Sequence, residues 1–151
     1  MKVKDITAVI ESFAPLSIQE NWDNSGLIIG SPEQEVHGIL LGFDCTAGLV
    51  DEAVERGADM IVTHHPLIFG GIKKISPEDP VGLAVLKAAA AGIAVYAAHT
   101  TADKVLGGVS GAMARRLELK DIRILDEEPG GYGLGAVGNL PEPMAGVEFI
   151  E

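Results

Sequence analysis

Cysteine and basic residues are both scarce in this chain, and each shortage excludes a class of function. The single cysteine, Cys45, cannot form an internal disulfide, so a small secreted fold held by disulfides is excluded. Only 11 Lys and Arg oppose 22 Asp and Glu, which gives a formal net charge of −11. Binding to a phosphate backbone needs clustered positive charge, so we expect no nucleic-acid partner.

Long uninterrupted apolar runs are also missing. The most apolar stretch, "VGLAVLKAAAAGIAVYAAH", contains Lys87 and the helix-ending Gly92, which predicts a helix followed by a strand and not a membrane span. The first fifteen residues contain no apolar core of signal-peptide length, so the sequence predicts a cytoplasmic protein without a membrane partner. At 151 residues and 47% hydrophobic, the chain can form one compact α/β core.

The apolar periodicity predicts alternating strands and helices. Val3, Ile6, Ile10 and Phe13 follow helical spacing that ends before Pro15, which predicts an amphipathic helix with these four residues facing the core. Three apolar runs then alternate with helical segments: "GILLGFD", "DMIVTHHP" and "IAVYAAHT". This pattern is typical of βαβ units, and it predicts an α/β fold with a mostly parallel sheet flanked by helices. The first of these runs has the continuous apolar character of a strand buried on both faces.

The composition of the sequence changes near Glu127, where glycine and proline become frequent. We predict an α/β metal-binding domain at residues 1–128 and the start of a Gly/Pro-rich second element at 129–151. Within that element, "YGLGAVG" indicates the first strand of a new hairpin. The chain stops soon afterwards, so the sequence favours a fragment of a longer protein, with the second element truncated.

Potential metal ligands follow two neighbouring strands of the predicted sheet. His64 and His65 end one strand, His99 ends the next, and Asp103 lies in the following loop. Because the carboxyl ends of parallel strands meet at one edge, where ligands gather, these side chains are expected to converge. Nitrogen and oxygen ligands of this kind suit Zn, Mn, Fe or a similar divalent ion.

Adjacent residues of a strand point in opposite directions, so His64 and His65 are not expected to chelate one ion. Pro66 holds His65 extended and interrupts the ladder. The pair therefore suits two ions with one imidazole each and Asp103 between or beside them. Two neighbouring ions can activate water for hydrolysis.

Other roles for these residues remain open. A histidine at a strand end is often only a hydrogen-bonded structural residue, and His99 could be a second-sphere group that orients Asp103 or a water instead of a ligand. Asp44 points to the same edge, but a role as helix N-cap is favoured for it, with Thr46 as the other candidate cap.

Four further residues have simpler explanations. Cys45 is expected to be a packed core thiol and a poor nucleophile, because an apolar setting and an acidic neighbour raise a thiol pKa. Lys73 and Lys74 are expected to be a pair of solvated side chains and not an anion-binding site. Trp22 most simply anchors a turn, although an aromatic ring near a cleft could stack on a base.

Three motifs resemble one family along nearly the whole chain. These are "WDNSGLIIG", "THHPLIFGGIKKI" and "HTTADKVLGGVSGAMA", which are similar to the signatures of the NIF-three-like family, whose members are often labelled GTP cyclohydrolase I type-two homologues. The resemblance implies a toroidal homohexamer with paired metal ions facing an inner cavity. By motif, it implies that His64, His65 and Asp103 are ligands and that His99 is a second-sphere residue.

The chain also departs from the family pattern. Thr101 and Ala102 stand where the family usually has Asn-Leu, a modest change that leaves Asp103 in place. A further His-x-x-x-Glu element, about a hundred residues beyond position 151 in the family, has no counterpart here. Two ions need more ligands than three or four side chains, so this site would be incomplete or altered unless the chain continues or a partner supplies them.

Residues and resemblance together predict a dinuclear metal-binding protein with hydrolase chemistry on a small, nucleotide-like substrate. The catalytic residues themselves are not identified by the sequence. The alternatives are a metal-binding oligomeric scaffold without catalysis and a regulatory partner-binding protein.

Overall fold

A computed structural model describes residues 1–150 of the chain. It contains two compact units, Met1–Thr101 and Ala102–Glu151. Within residues 1–150, no helix has the length and apolar character that crossing a membrane requires. The predicted domain boundary at residue 128 is not tested by this division into compact units. The last residue of the predicted second element, Glu151, lies outside the described residues.

The first unit contains a four-stranded sheet, in which the strands lie in the order β1 (Gly26–Ile29), β4 (Ala94–Ala97), β3 (Met60–Thr63) and β2 (Ile39–Gly42). β2 pairs with β3 and β3 with β4 in parallel, whereas β1 pairs with β4 in antiparallel fashion. The mostly parallel sheet predicted from the sequence is therefore confirmed. The helices and strands of this unit are α1 (Val3–Phe13), β1 (Gly26–Ile29), β2 (Ile39–Gly42), α2 (Ala47–Arg56), β3 (Met60–Thr63), α3 (Pro80–Ala91) and β4 (Ala94–Ala97).

Both faces of the sheet bury apolar side chains because successive strand residues point to opposite faces. On one face, Ile61 and Val95 form a core with residues of α2 and α3. On the other, Met60 and Tyr96 form a core with residues of α1. These two layers hold the carboxyl ends of β3 and β4 side by side, which positions the histidines that follow them.

Helix α1 confirms most of the predicted core stripe. Val3 and Ile6 are buried and Ile10 is partly buried. Phe13 is 52% exposed, so its predicted core position is wrong. It belongs to the last turn of the helix, where the chain turns away before Pro15.

Helices α2 and α3 begin and end where their capping residues predict. Thr46 caps α2 by accepting a hydrogen bond from Leu49 N, and Asp79 caps α3 by accepting one from Gly82 N. Gly57 and Gly92 end the helices with φ of 67°, a left-handed conformation that favours glycine. Since Thr46 is the cap of α2, the favoured assignment of that role to Asp44 is wrong.

Strand β2 differs from its prediction. Within residues 1–150 it is an edge strand paired only with β3, and Ile39 and Leu41 are 45% and 74% exposed. The expectation of burial on both faces is therefore wrong. A continuous apolar run does not reveal whether a second neighbouring strand exists.

The second unit is built on an antiparallel hairpin. Strand β5 (Lys120–Glu128) pairs with β6 (Tyr132–Asn139), and the turn between them contains Gly130 and Gly131, which have positive φ. The segment "YGLGAVG" is therefore the second strand of this hairpin and not the first strand of a new one. The elements that complete the chain are α4 (Thr100–Asp103), α5 (Val109–Arg116), β5 (Lys120–Glu128), β6 (Tyr132–Asn139) and α6 (Gly146–Ile150).

Candidate metal centre

Three of the chain's four histidines form one cluster at the carboxyl ends of β3 and β4. In His64, His65 and His99, one ring nitrogen of each lies within 4.8 Å of one ring nitrogen of each of the others. Their ring centroids are 5.0 to 5.4 Å apart. The topology thus brings the adjacent His64 and His65 together with His99, which lies 34 residues beyond His65, because two parallel strands end at the same edge.

The paired histidines lie on one side of the chain because the strand has already ended. β3 stops at Thr63, whose hydroxyl donates to the carbonyl oxygen of His65 at 2.8 Å. The amide of His65 donates to the carbonyl oxygen of Phe43 at 3.0 Å. Strand alternation therefore does not separate the two rings, and both join the same cluster.

The ring of His99 is fixed by a buried carboxylate. His99 Nδ1 lies 2.8 Å from Asp23 Oδ1, and the Asp23 side chain has no solvent exposure. Burial raises the pKa of Asp23, but hydrogen bonds from Thr100, His99 and Ser25 and from the Asn24 amide outweigh it and lower that pKa to about 2. An ionised carboxylate can only accept, so His99 donates through Nδ1 and its Nε2 is left as the ligand nitrogen.

A second carboxylate fixes His65 in the same way. His65 Nδ1 lies 2.7 Å from Asp44 Oδ1, at a more exposed position. Two of the three imidazoles thus have the carboxylate–histidine arrangement that is common behind metal-binding histidines. Sequence reasoning placed Asp44 at this edge but favoured it as a cap, and it did not identify Asp23, which follows Trp22, as a residue of the site.

Aromatic side chains surround the cluster. Phe43 stacks on His64 with ring centroids 5.2 Å apart, while Trp22 and Phe69 contact His99 edge-on. Trp22 is 55% exposed, so it contributes to the rim of the cluster as well as to its turn. These rings limit the directions from which a ligand can approach the histidines.

The donor set suits a divalent metal ion. Neutral imidazoles with an orienting carboxylate bind zinc and similar borderline ions well. Among residues 1–150, the group of potential ligands comprises the three histidines. Asp103 is the last residue of α4 and belongs to the second compact unit, so its role as a ligand stays a prediction.

The other candidates have the surroundings predicted for them. Cys45 is 6% exposed within the core beneath α2, and burial raises its pKa to about 11, which confirms a packed thiol. Lys73 and Lys74 are both exposed.

The fold and the cluster define an α/β protein with a histidine-rich candidate metal centre at the carboxyl ends of parallel strands. A family model for Duf34/NIF3 (NGG1p interacting factor 3) matches residues 1–151. The chain belongs to this family, which confirms the resemblance predicted from its motifs.

Relatives and solved structures agree with this assignment. A Clostridium acetobutylicum protein named GTP cyclohydrolase 1 type 2 homolog is 37% identical over 154 residues, covering 100% of this chain and 58% of the relative. A Bacillus cereus protein related to NIF3 has a TM-score of 0.81 at 35% identity, covering 85% of this chain and 36% of that structure. The structure of protein ybgI, a protein of unknown function, has a TM-score of 0.80 at 26% identity and covers 99% of this chain and 57% of that structure. The chain thus spans little more than half the length of the first relative.

Proposed function

We propose that the chain binds divalent metal ions through His64, His65 and His99 and that Asp103 adds a carboxylate ligand. The observation that carries this proposal is the carboxylate behind two of the three clustered histidines. A histidine with a purely structural role needs no second histidine beside it. Three clustered imidazoles, two of them held in one tautomer by a carboxylate, are the arrangement expected of metal-binding histidines. The proposal includes two ions, which are Zn, Mn, Fe or a similar divalent metal.

The chemistry proposed for this centre is hydrolysis of a small, nucleotide-like substrate. A bound divalent ion would supply Lewis acidity toward a carbonyl or phosphoryl oxygen and toward water. Asp23 and Asp44 hold two imidazoles in one orientation, and Trp22, Phe43 and Phe69 restrict the approach. The name of the Clostridium relative supports a nucleotide among the substrates to be tested.

The proposal also includes that the protein is a cytoplasmic homohexamer, as the family resemblance implies. The free thiol of Cys45 is compatible with a reducing compartment. The mass of the native protein in light scattering after gel filtration tests the assembly, and a monomer under native conditions would contradict it.

Metal binding is tested by calorimetric titration of the metal-free protein with Zn²⁺ and Mn²⁺. His64→Ala, His65→Ala and His99→Ala are each expected to weaken binding at least tenfold, since each removes a ligand. His37→Ala is the matched control, because His37 lies outside the cluster and pairs with Asp59. Equal affinity in the wild type and all three cluster variants would contradict the proposal.

Catalysis is tested separately with phosphoesters, cyclic nucleotides and GTP in the presence of Zn²⁺, Mn²⁺ or Fe²⁺. Turnover that is lost in His64→Ala and kept in His37→Ala supports a hydrolase. Stable metal binding without turnover would favour a scaffold whose product is the assembly itself. Stable complexes with another protein, independent of metal, would favour a regulatory module.

A further inference from the structure

A cavity of the first unit lies beside the histidine cluster. It has a volume of about 610 Å³ and is formed by the start of α2, the start of α3 and the segment that follows His65. His65 and Asp44, which are hydrogen-bonded to each other, form part of its wall. Small-molecule sites are usually concave spaces of 300 to 1,000 Å³, roughly, so this cavity has the size of a binding site.

The wall of the cavity is largely apolar. Three prolines, two leucines and a valine line it, together with Cys45. The lining residues from the two helices and the connecting segment include Pro66, Leu67, Pro80, Val81 and Leu83. Such a wall favours an apolar ring or chain, because it offers few hydrogen bonds.

The charged groups of the wall are all acidic apart from the histidine. Asp44 and Glu78 line the cavity, and within residues 1–150 no lysine or arginine does so. Lys73 and Lys74, on the same connecting segment, do not belong to the lining. An anionic ligand would therefore meet the full charges of two carboxylates and no cationic side chain. The partial positive charges at the starts of α2 and α3 are smaller than these full charges, so an anion is unfavourable in this partly enclosed space.

The wall is also held in place before any ligand binds. Asp79 accepts a hydrogen bond from Gly82 N at 2.7 Å, and its own amide donates to the Ser76 carbonyl at 3.2 Å. A side chain at position 82 would meet the Ser76 carbonyl oxygen at 2.3 Å, so the segment lies directly on the helix start. A preformed wall reduces the ordering that ligand binding requires.

We propose that this cavity binds the neutral or cationic apolar part of the substrate, such as an uncharged heterocycle or an amine, and excludes anionic groups. His65 lies at the boundary between the cavity and the histidine cluster, so a ligand seated here presents its other end to the proposed metal centre. That the ligand is a substrate rests on the proposed function. For a nucleotide, it assigns the base to the cavity and leaves the phosphates outside.

Three probes that share one ring test the charge preference: tryptamine, 3-methylindole and indole-3-propionate. We expect tryptamine to bind tightest and indole-3-propionate about tenfold more weakly in calorimetric titration, because the charge that faces the carboxylates changes sign. In the metal-free protein, where no ion attracts the phosphates, guanosine is expected to bind at least as tightly as GTP. Tightest binding by the anionic probe, or tighter binding of GTP to the metal-free protein that depends on the cavity, would overturn the proposal.

Substitutions locate the binding site. Val81→Trp places a large side chain in the cavity from a position that is 37% exposed, so the fold tolerates it, and we expect loss of tryptamine binding. Leu86→Trp is the matched control, since Leu86 is 41% exposed on the same helix and does not line the cavity. Glu78→Gln should reduce the difference in affinity between tryptamine and indole-3-propionate. Glu55→Gln, at an exposed position of α2 outside the lining, should leave that difference unchanged.

The same variants separate this inference from the proposed function. Zinc binding is expected to be unchanged in Val81→Trp. If zinc does not bind the wild type but Val81→Trp still abolishes tryptamine binding, the metal proposal fails and the cavity assignment stands. If zinc binds and tryptamine binds Val81→Trp as tightly as the wild type, the cavity assignment is refuted and the metal proposal stands.

Discussion

At the residue scale, the buried carboxylate of Asp23 has more consequences than its place in a turn suggests. It receives hydrogen bonds from three side chains and from the backbone amides of Asn24 and Thr100. These bonds join the turn before β1 to the residues that follow β4. Asp23 therefore acts as a positioning residue for His99, because its charge sets which ring nitrogen carries the proton.

Asp23→Asn is expected to lower zinc affinity by about ten- to one-hundredfold, the usual effect of losing such a carboxylate. The amide can donate as well as accept, so it no longer specifies the tautomer of His99. Calorimetric titration measures the change, and circular dichroism confirms that the variant is folded. Asp51→Asn, which alters an exposed pair with Lys87, is the control and should bind zinc as the wild type does. Unchanged affinity in folded Asp23→Asn would remove this residue from the centre.

Cys45 gives a prediction about pH. Burial raises its pKa from 9.0 to about 11, so the folded protein keeps the thiol proton at a pH where the unfolded chain loses it. The contribution of Cys45 to stability is therefore present below pH 9 and is lost as pH rises toward 11. Urea unfolding along this range should show a steeper alkaline loss for the wild type than for Cys45→Ala. Parallel curves would contradict the shifted pKa.

At the element scale, helix limits were predictable because short-range chemistry determines them. Pro80 and Gly92 bound α3, and Thr46 and Gly57 bound α2, all within one turn of the residues they affect. The position of β2 at the sheet edge depends on which other strands pair with it, and no residue of β2 encodes that. The partners of His65 and His99 depend likewise on contacts 21 and 76 residues away in sequence.

The division of roles between Thr46 and Asp44 can be measured. Thr46→Ala should lower the free energy of unfolding by about 1 kcal/mol, because the amide of Leu49 loses its side-chain acceptor at the start of α2. Asp44→Ala should leave stability closer to the wild type, since its carboxylate is exposed and pairs with the imidazole of His65, and should instead weaken zinc binding. Urea denaturation and calorimetry on both variants provide the comparison. Reversed effects would restore Asp44 as the cap.

At the scale of the whole molecule, two features oppose each other in solution. A net charge of −11 makes copies of the chain repel one another, most strongly at low salt. The edge strand β2 has the opposite effect, because it exposes Ile39 and Leu41 on one side and continues into Phe43, which is 61% exposed. An exposed apolar edge strand is a general cause of association between sheets.

Self-association through this edge should therefore increase with salt, since salt screens the repulsion and leaves the apolar contact intact. Leu41→Lys places a charge at the most exposed of these positions and should shift sedimentation velocity profiles toward smaller species at high salt. The free energy of unfolding should change little, because Leu41 is 74% exposed. Val54→Lys, at a 55% exposed apolar position on α2, adds the same charge away from the edge and should have a smaller effect. If both variants dissociate the assembly equally, net charge and not the β2 edge controls association.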